Sequence, residues 1–241
     1  MRKSLLSTAL VVAAVGVSSA AVISVNFNRN NDEDFGTALS AGAVEVSNWN
    51  QSVPDNAGAV GGTFTNAIDD TGVATTADIT FSAANTWASG GANTADGNTS
   101  LLKGYLDDSN GGALAVIDVT EIPYALYDVY VYGMGDSAQG ALLNAYSFDD
   151  GSGAQSFSFL RAANYTAGTA LVEGDATTEG HYFKISGVSA SSFSLSNDNN
   201  RGDGRSPIAG FQIVAVPEPS SSSLGILALG SLALIRRRTG A

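Results

Sequence analysis

The sequence of 241 residues contains no cysteine and a single histidine, His181. The lack of cysteine excludes a disulfide framework, a thiolate zinc site, an iron–sulfur cluster and a cysteine nucleophile. A single histidine excludes a histidine-rich metal site and leaves one candidate for a serine–histidine relay. These absences remove most of the common thiol and metal chemistries from consideration.

Basic residues are also scarce. Lysine and arginine number 11 against 23 aspartates and glutamates, which gives a formal net charge of −12. The two termini hold five of the basic residues and one acidic residue, so the body between them has six basic and 22 acidic residues, a net charge of −16. Phosphate binding needs a basic face, so we exclude nucleic acid as a partner. The acidic body would attract cations such as Ca²⁺, although simple surface solvation also explains its charge.

The N-terminus has the three parts of a secretory signal peptide. Arg2 and Lys3 form a basic start, residues 5–17 form an apolar run, and residues 18–21 are small. The apolar run is too short to span a bilayer comfortably, which disfavours the alternative of an N-terminal membrane anchor. We therefore predict a signal peptide over residues 1–21 that is cleaved after Ala20 or Ala21.

The C-terminus also has three parts. Pro217, Glu218 and Pro219 follow the last apolar stretch of the body, and serines fill positions 220–223. Residues 224–235 are apolar on every side of a helix, which is typical of a membrane segment and not of an amphipathic surface helix. Arg236, Arg237 and Arg238 close the segment, and a basic cluster in this position holds that end in the cytoplasm. We predict a transmembrane sorting helix.

This ordered tail resembles the PEP-CTERM sorting signal of Gram-negative bacteria. The resemblance rests on Val216-Pro217-Glu218-Pro219-Ser220, the apolar helix and the arginine cluster, and it covers the tail alone. It implies that exosortase, a membrane transpeptidase, cuts near Pro217-Glu218-Pro219 and transfers the product to a surface destination. The helix would then be a temporary anchor, as the tail is in a glycosylphosphatidylinositol signal. The implied domains are residues 1–21, 22–215 and 216–241.

Between the termini, short runs alternate apolar and polar residues, and clusters of Gly, Asn, Asp and Ser separate them. A period of two predicts strands with one buried face, and the clusters predict turns. We count roughly ten strands by this pattern and find no fixed repeat. We predict an all-β fold, a single jelly-roll-like β-sandwich over residues 22–215 whose first and last strands lie close together.

Three local predictions accompany this fold. Residues 73–81 alternate over a long run and predict one long strand, whereas residues 99–106 are the best candidate for a helix. In residues 181–185, the side chains of His181, Phe183 and Ile185 are predicted to oppose those of Tyr182 and Lys184.

The body also resembles, more weakly, a secreted β-sandwich domain that often precedes this sorting tail and is similar in outline to galactose-binding-like jelly rolls. The segments that carry the resemblance are Ile23-Ser24-Val25-Asn26-Phe27, Asn48-Trp49-Asn50, Asp69-Asp70-Thr71-Gly72, Gly104-Tyr105-Leu106-Asp107, Tyr127-Asp128-Val129-Tyr130-Val131-Tyr132 and Pro207-Ile208-Ala209-Gly210-Phe211-Gln212-Ile213-Val214. The resemblance implies a fold but no functional residues.

Hydrolysis has little support in this sequence. Gly135-Asp136-Ser137-Ala138-Gln139 follows a predicted strand, but a nucleophile elbow needs glycine where Gln139 stands. His181 lies within a predicted strand, where a lone histidine is more often packed than catalytic. Paired carboxylates such as Asp69-Asp70 and Asp149-Asp150 fall in turns, where aspartate caps its own backbone. We predict that the protein is not an enzyme, and we assign no catalytic residue.

Calcium is the one ion that the sequence suggests. Residues 197–204 are rich in oxygen ligands, with Asp198, Asn200 and Asp203 as candidate ligands and glycines for tight turns. The segment lacks an acidic residue where Gly202 stands and has no trailing glutamate at the expected spacing. A structural Ca²⁺ and plain turns of Asp and Asn both remain open, and we predict no other cofactor.

Aromatic residues suggest carbohydrate binding. Trp49 lies between Asn48 and Asn50, and Trp87 follows Asn85-Thr86, so both lie in polar stretches. An exposed ring flanked by amides could stack on a sugar, whereas the alternative is that each Trp plugs one end of the sandwich. Tyr130 and Tyr132 share a strand face with Asp128 and would form either an exposed platform or the second buried face of a central strand.

These observations lead to three functional hypotheses. The first is an exported, non-catalytic structural or adhesive module at the cell surface or in an extracellular polysaccharide matrix of a Gram-negative bacterium. The second is a lectin-like carbohydrate-binding module, with or without Ca²⁺, and the third is a hydrolase that acts on polysaccharide. The expected partners are signal peptidase, exosortase, the inner membrane through the C-terminal helix, and extracellular polysaccharide.

Overall fold

The computed structural model describes residues 20–27, 39–52, 60–88, 96–108, 112–133, 140–198 and 206–217, and the body from Ala20 to Val216 is one compact unit. Within these ranges, alternation of apolar and polar residues produces thirteen strands, and one short helix, α1, spans Gly97–Leu101. The strands are β1 (Val22–Phe27), β2 (Asn50–Ser52), β3 (Val60–Phe64), β4 (Asp78–Ala83), β5 (Asn85–Ala88), β6 (Gly104–Asp107), β7 (Val116–Thr120), β8 (Tyr127–Tyr132), β9 (Leu142–Asp149), β10 (Gln155–Arg161), β11 (Tyr182–Val188), β12 (Phe193–Asn197) and β13 (Gly210–Ala215).

Two large sheets pack as a β-sandwich. The five-stranded sheet has the order β11-β8-β13-β1-β2, the six-stranded sheet has the order β10-β9-β12-β7-β4-β3, and β5 pairs with β6. Neighbouring strands are antiparallel, except that β1 and β2 run parallel. The first and last strands pair directly, with Val22 opposite Val214 and Asn26 opposite Gly210. The predicted all-β sandwich and the proximity of its first and last strands are confirmed.

The main core lies between the two sheets and is rich in aromatic rings. The ring centroids of Phe27 and Phe81 lie 5.0 Å apart, and those of Tyr146 and Phe183 lie 4.9 Å apart. Phe211 of the central strand β13 contacts both Phe27 and Phe193. All of these contacts except that of Phe27 with Phe211 join the two sheets, and removal of such rings from water is the main force that stabilises the sandwich.

A second layer covers part of the outer face of the five-stranded sheet. We call it the cover layer; it consists of residues 39–50 and helix α1, and it packs Ala41, Trp49 and Leu101 against the sheet. Because of this layer, all six residues of β1 are buried, including its outward-facing polar residues. A Cβ added at Gly97 would lie 2.1 Å from the Ser40 carbonyl oxygen, so only glycine permits this close approach of the helix to the segment before it.

Two local predictions are wrong in part. The long strand over residues 73–81 is limited to β4, because the Asp69 carboxylate accepts hydrogen bonds from the amides of Thr71 and Val73 and holds that stretch in a turn. Val73 is accordingly 61% exposed. The helix predicted over residues 99–106 ends at Leu101, since Gly104–Asp107 pairs with β5 as a strand. The alternation of Phe183 and Ile185 with Tyr182 and Lys184 is confirmed.

No helix in the described part of the chain is both long enough and apolar enough to span a bilayer. The predicted signal peptide and the predicted sorting helix over residues 224–235 lie outside the described residues.

Candidate functional site

The body ends where the tail begins. The amide of Ala215, the last residue of β13, donates to the Ala21 carbonyl at 2.9 Å, and the amide of Val216 donates to the Leu126 carbonyl at 2.9 Å. Pro217 follows without an intervening linker and cannot donate to a further ladder hydrogen bond. The other predicted sorting residues, Glu218, Pro219 and the three arginines, lie outside the described residues. Backbone hydrogen bonds therefore hold the chain up to Val216, the residue before the Pro-Glu-Pro motif.

The structure buries Trp49, which corrects the expectation that its ring is exposed for sugar stacking. Its side chain is 2% exposed, and its indole Nε1 donates to the Val46 carbonyl at 3.0 Å. The flanking amides bind the chain itself: Asn48 Nδ2 donates to the Asp70 carbonyl, and Asn50 bonds to the backbone of Ser24 and Ile68. Trp49 is thus buried, but it packs within the cover layer against the five-stranded sheet and does not plug one end of the sandwich.

Trp87 lies at the surface. It belongs to the short strand β5 instead of a loop, and it pairs with Tyr105 of β6. Its side chain is 36% exposed, whereas Tyr105 is buried. Trp87 therefore stays a candidate for ligand contact, on the two-stranded sheet and not on the sandwich faces.

Only one of the three predicted calcium ligands lies among the described residues. The amide of Asp198 donates to the Ala145 carbonyl at 2.8 Å, whereas Asn200 and Asp203 lie outside them. No group of three acidic or histidine side chains that could hold a metal occurs in the parts of the chain that the structure describes. The calcium site stays a prediction.

The paired carboxylates of the turns act as backbone caps. Asp69 Oδ1 accepts from the Thr71 and Val73 amides, Asp149 Oδ1 accepts from the Gly151 and Gly153 amides, and Asp150 Oδ1 accepts from the Ser152 amide. Burial raises the pKa of the Asp69 carboxyl, but its hydrogen bonds together outweigh burial and lower that pKa. Hydrogen bonds from the Ser152 hydroxyl and amide lower the pKa of the Asp150 carboxyl. The expectation that such aspartates cap their own turns is confirmed for Asp69, Asp149 and Asp150, whereas the Asp70 carboxylate accepts from the distant Val22 amide at 2.9 Å.

His181, the only histidine, is buried, and its contacts are those of a structural residue. Its Nδ1 accepts a hydrogen bond from the Val172 amide at 3.0 Å, and its ring meets the ring of Tyr165 edge-on at 5.3 Å between centroids. Burial lowers the pKa of His181, opposed by a hydrogen bond to the Asn164 backbone, so the neutral ring is favoured. The candidate partner Ser137 lies outside the described residues.

Beneath the cover layer lies a buried polar network centred on Gln212 of β13. Gln212 Nε2 donates to Ser24 Oγ at 3.1 Å and to the Val44 carbonyl at 2.9 Å. Gln212 Oε1 accepts from the Tyr132 hydroxyl and from the Val44 amide. The Tyr132 oxygen in turn accepts from the Ala43 amide at 2.7 Å. The contacts with Ala43 and Val44 tie the cover layer to the sheet, and they show that Tyr132 belongs to a second buried face.

Beside this network the sheet face is open. Tyr130 of β8 and Tyr182 of β11 are both partly exposed, with ring centroids 5.6 Å apart. Lys184 lies beside them: its ammonium is 5.6 Å from the Tyr130 ring centroid and 3.4 Å from Asp128 Oδ2. We call Tyr130, Tyr182 and Lys184 the tyrosine surface. Tyr132 thus lies on the second buried face, whereas Tyr130 is only partly buried, so the two tyrosines do not share an exposed platform.

A polar cleft of about 400 Å³ adjoins the cover layer. Asp96 forms part of its wall and caps helix α1: its carboxylate accepts from the Asn98 amide, from the Thr99 hydroxyl and from the Gly168 amide. Burial raises the pKa of Asp96, but these hydrogen bonds outweigh burial and lower it below the usual value. The remaining lining residues are mostly small or polar: Ser40, Gly42, Ala43, Glu45, Asn98, Gly168, Thr169, Ala170 and Leu171.

The outer face of the six-stranded sheet differs from that of the five-stranded sheet in the side chains that it presents. One cross-strand row runs through Thr63, Thr80, Asp118, Ser194 and Asp149, which pair in that order across five neighbouring strands. These side chains are exposed or partly exposed, and the row contains neither an aromatic ring nor a cation. We call this row of five residues the hydroxyl face.

Comparison with known proteins identifies the tail. Residues 215–238 match the PEP-CTERM protein-sorting motif, so the predicted sorting signal is confirmed. No curated protein and no solved structure matches the chain. The motif marks an exported protein that exosortase targets, with membrane-anchored sorting in Gram-negative bacteria. The all-β body is consistent with the fold that the second, weaker resemblance implies.

Proposed function

We propose that this protein is an exosortase-processed component of the cell surface or of an extracellular polysaccharide matrix, in which the β-sandwich is a non-catalytic structural or adhesive module. One observation carries the proposal: the sorting motif starts at residue 215, the last residue of the last core strand. Cleavage near the Pro-Glu-Pro motif would therefore leave every strand of the sandwich intact.

The proposed route has three steps. Signal peptidase removes residues 1–21 during export, and the apolar segment over residues 224–235 holds the protein in the inner membrane with its arginines on the cytoplasmic side. Exosortase then cuts near Pro217-Glu218-Pro219 and releases the body toward the exterior. The acidic composition of the body supports solubility after release.

Two observations support a non-catalytic body. His181 is engaged with the Val172 amide and the Tyr165 ring, and its neutral form is favoured, so its described contacts are those of a packed residue. The carboxylates of Asp69, Asp149 and Asp150 hold turn backbones, which uses oxygen atoms that an acid–base pair would need for substrate.

Replacement of the motif tests this route. We expect Glu218→Ala combined with Pro217→Ala and Pro219→Ala to leave the protein in the inner-membrane fraction of the native host, while the wild-type chain reaches the surface fraction. A control variant with Ser221→Ala, in the neighbouring spacer, should be sorted normally. Surface delivery of the triple variant, or cytosolic retention of the wild-type chain, would contradict the proposal.

A second candidate function is a carbohydrate-binding module, and the partly exposed rings of Trp87, Tyr130 and Tyr182 favour it. Amphipathic rings at a surface suit sugar recognition, because a ring face is apolar while nearby polar groups bond to hydroxyls. A Ca²⁺ held by Asp198, Asn200 and Asp203 would make such binding sensitive to EDTA. A glycan array with and without EDTA separates this candidate from a purely structural module.

A further inference from the structure

We propose that the tyrosine surface and the adjoining polar cleft form one binding site for a neutral glycan. This inference rests on the proposed export of the body and adds to it a place and a chemical class of ligand.

The cover layer ends partway across the outer face of the five-stranded sheet. It bonds to β13 through Gln212 and to β8 through the Tyr132 hydroxyl, so that Tyr132 is fully buried. Tyr182 is the strand partner of Tyr132 on β11, yet it is only partly buried, as is Tyr130. On the far side, Glu173 bridges to Tyr182, and the Gly174 amide donates to the Tyr182 carbonyl at 2.8 Å. Tyr130 and Tyr182 therefore lie between the cover layer on one side and the segment that pairs with the edge strand β11 on the other.

The two rings are held in place before any ligand arrives. Tyr130 contacts the Tyr182 ring on one side and the Lys184 ammonium on the other, and Asp128 fixes that ammonium by an ion pair. Tyr182 also contacts the ring of the buried Tyr132 at 5.9 Å. Rings that are already fixed lose little side-chain entropy on binding, which favours affinity for a weakly interacting ligand such as a sugar.

The polar cleft continues from the tyrosine surface. Ala43 and Leu171 line the cleft, and both pack against the same buried cluster of Trp49 and Tyr132 as Tyr130 and Tyr182 do. A volume of about 400 Å³ falls within the range of small-ligand sites. Glu45 and Asn98 offer carboxylate and amide groups, which suit the dense hydroxyl groups of a saccharide. Apolar ring faces and hydrogen-bonding groups thus occur side by side.

The local charge selects the kind of glycan. Asp128, Glu173 and Glu45 surround the site with carboxylates, and Lys184 is the single cation among the described residues of the tyrosine surface. The body as a whole is strongly acidic. A polyuronate or sulfated chain would be repelled, whereas a neutral polysaccharide meets no such penalty. The site is therefore assigned to neutral glycans.

Affinity electrophoresis of the full chain in detergent micelles tests the assignment, with dextran, galactomannan and xyloglucan as neutral probes and with alginate and polygalacturonate as acidic ones. We expect retardation by at least one neutral probe and by neither acidic probe. Tyr130→Ala and Tyr182→Ala should each weaken binding about tenfold or more, since loss of an aromatic contact is worth roughly 1.4 kcal/mol. Tyr124→Ala, a partly buried tyrosine outside the site, is the matched control and should bind normally.

Two further variants keep the test decisive if an alanine variant unfolds. Tyr130→Phe with Tyr182→Phe retains both rings and should retain binding to the neutral probe. Glu173→Lys with Glu45→Lys changes exposed residues only and should give the chain measurable affinity for alginate. Failure of all three neutral probes, equal binding of acidic probes by the wild-type chain, or unchanged binding in the folded alanine variants would overturn the inference. Normal surface delivery in the same strains would leave the proposed function standing.

Discussion

The two outer faces of the sandwich differ in how far other segments of the chain cover them. The five-stranded sheet is partly hidden under the cover layer, with a buried polar network at Gln212 and an open tyrosine surface beside it. The hydroxyl face of the six-stranded sheet carries small polar side chains directly in solvent. The residues that could recognise a ligand gather on the first face, where aromatic rings, amides and carboxylates are held by long-range contacts.

This difference shows which of the two faces depends on particular residues. Alternating Ser and Thr on the hydroxyl face need only keep one side of each strand polar, which many sequences achieve. The covered face needs particular residues, because each polar group beneath the cover layer must find a partner. Substitutions on the covered face should therefore cost more than matched substitutions on the hydroxyl face.

The largest effect is expected at Gln212. Gln212→Leu leaves Ser24 Oγ and the Val44 backbone without their partners in a buried layer, so we expect the free energy of unfolding to fall by about 2–4 kcal/mol. Ser194→Ala, at the centre of the hydroxyl face, should change it by less than about 0.5 kcal/mol. Urea denaturation of both variants measures the contrast. Equal losses would mean that the two faces do not differ as described.

A smaller effect is expected at Asp96. Asp96→Ala removes the cap of helix α1 and the hydrogen bond to the Gly168 amide, and loss of such a cap typically costs about 1 kcal/mol. Hydrogen exchange at the Gly168 amide should become faster, since that donor loses its acceptor. Asp118→Ala on the hydroxyl face is the matched carboxylate control. The comparison fails if Asp118→Ala destabilises the protein as much as Asp96→Ala does.

The smallest effect depends on pH and concerns His181. Because its pKa in the folded state lies below the unfolded value, the folded state binds fewer protons, and stability should decrease as the pH falls below about 6.5. Protonation would also turn Nδ1 into a donor that faces the Val172 amide. We expect His181→Gln to flatten the dependence between pH 7 and pH 5, above the range in which Asp69 and Asp96 titrate. Parallel curves for the two proteins would argue against this role.

Much of the architecture follows from local pattern. Alternation along β8, β11 and β12 fixes which side chains face the core, and the short punctuated strands indicate a sandwich. The same pattern cannot tell whether an outward face is later covered, because that depends on segments far apart in the chain. Tyr130 and Tyr132 look alike in sequence, yet the Ala43 amide reaches only Tyr132, and only Tyr132 is fully buried.

The candidate site was less accessible to prediction for the same reason. The amides beside Trp49 suggest sugar recognition, but Asn48 and Asn50 use them to bind the backbone near Asp70 and Ile68. Tyr182 shows only one signal in the sequence, an aromatic residue at a polar position of an alternating strand. Its ring contact with Tyr130 requires the register that places Tyr182 opposite Tyr132 and Lys184 opposite Tyr130, which the sequence does not display.

Top-down mass spectrometry of the protein from the native cell envelope tests the central claim most directly, since it reads both ends of the mature chain. The account predicts a first residue at Ala21 or Val22 and a last residue close to Pro217-Glu218-Pro219, with the apolar segment and its arginines gone. A chain that keeps both termini and accumulates in the cytosol would contradict it.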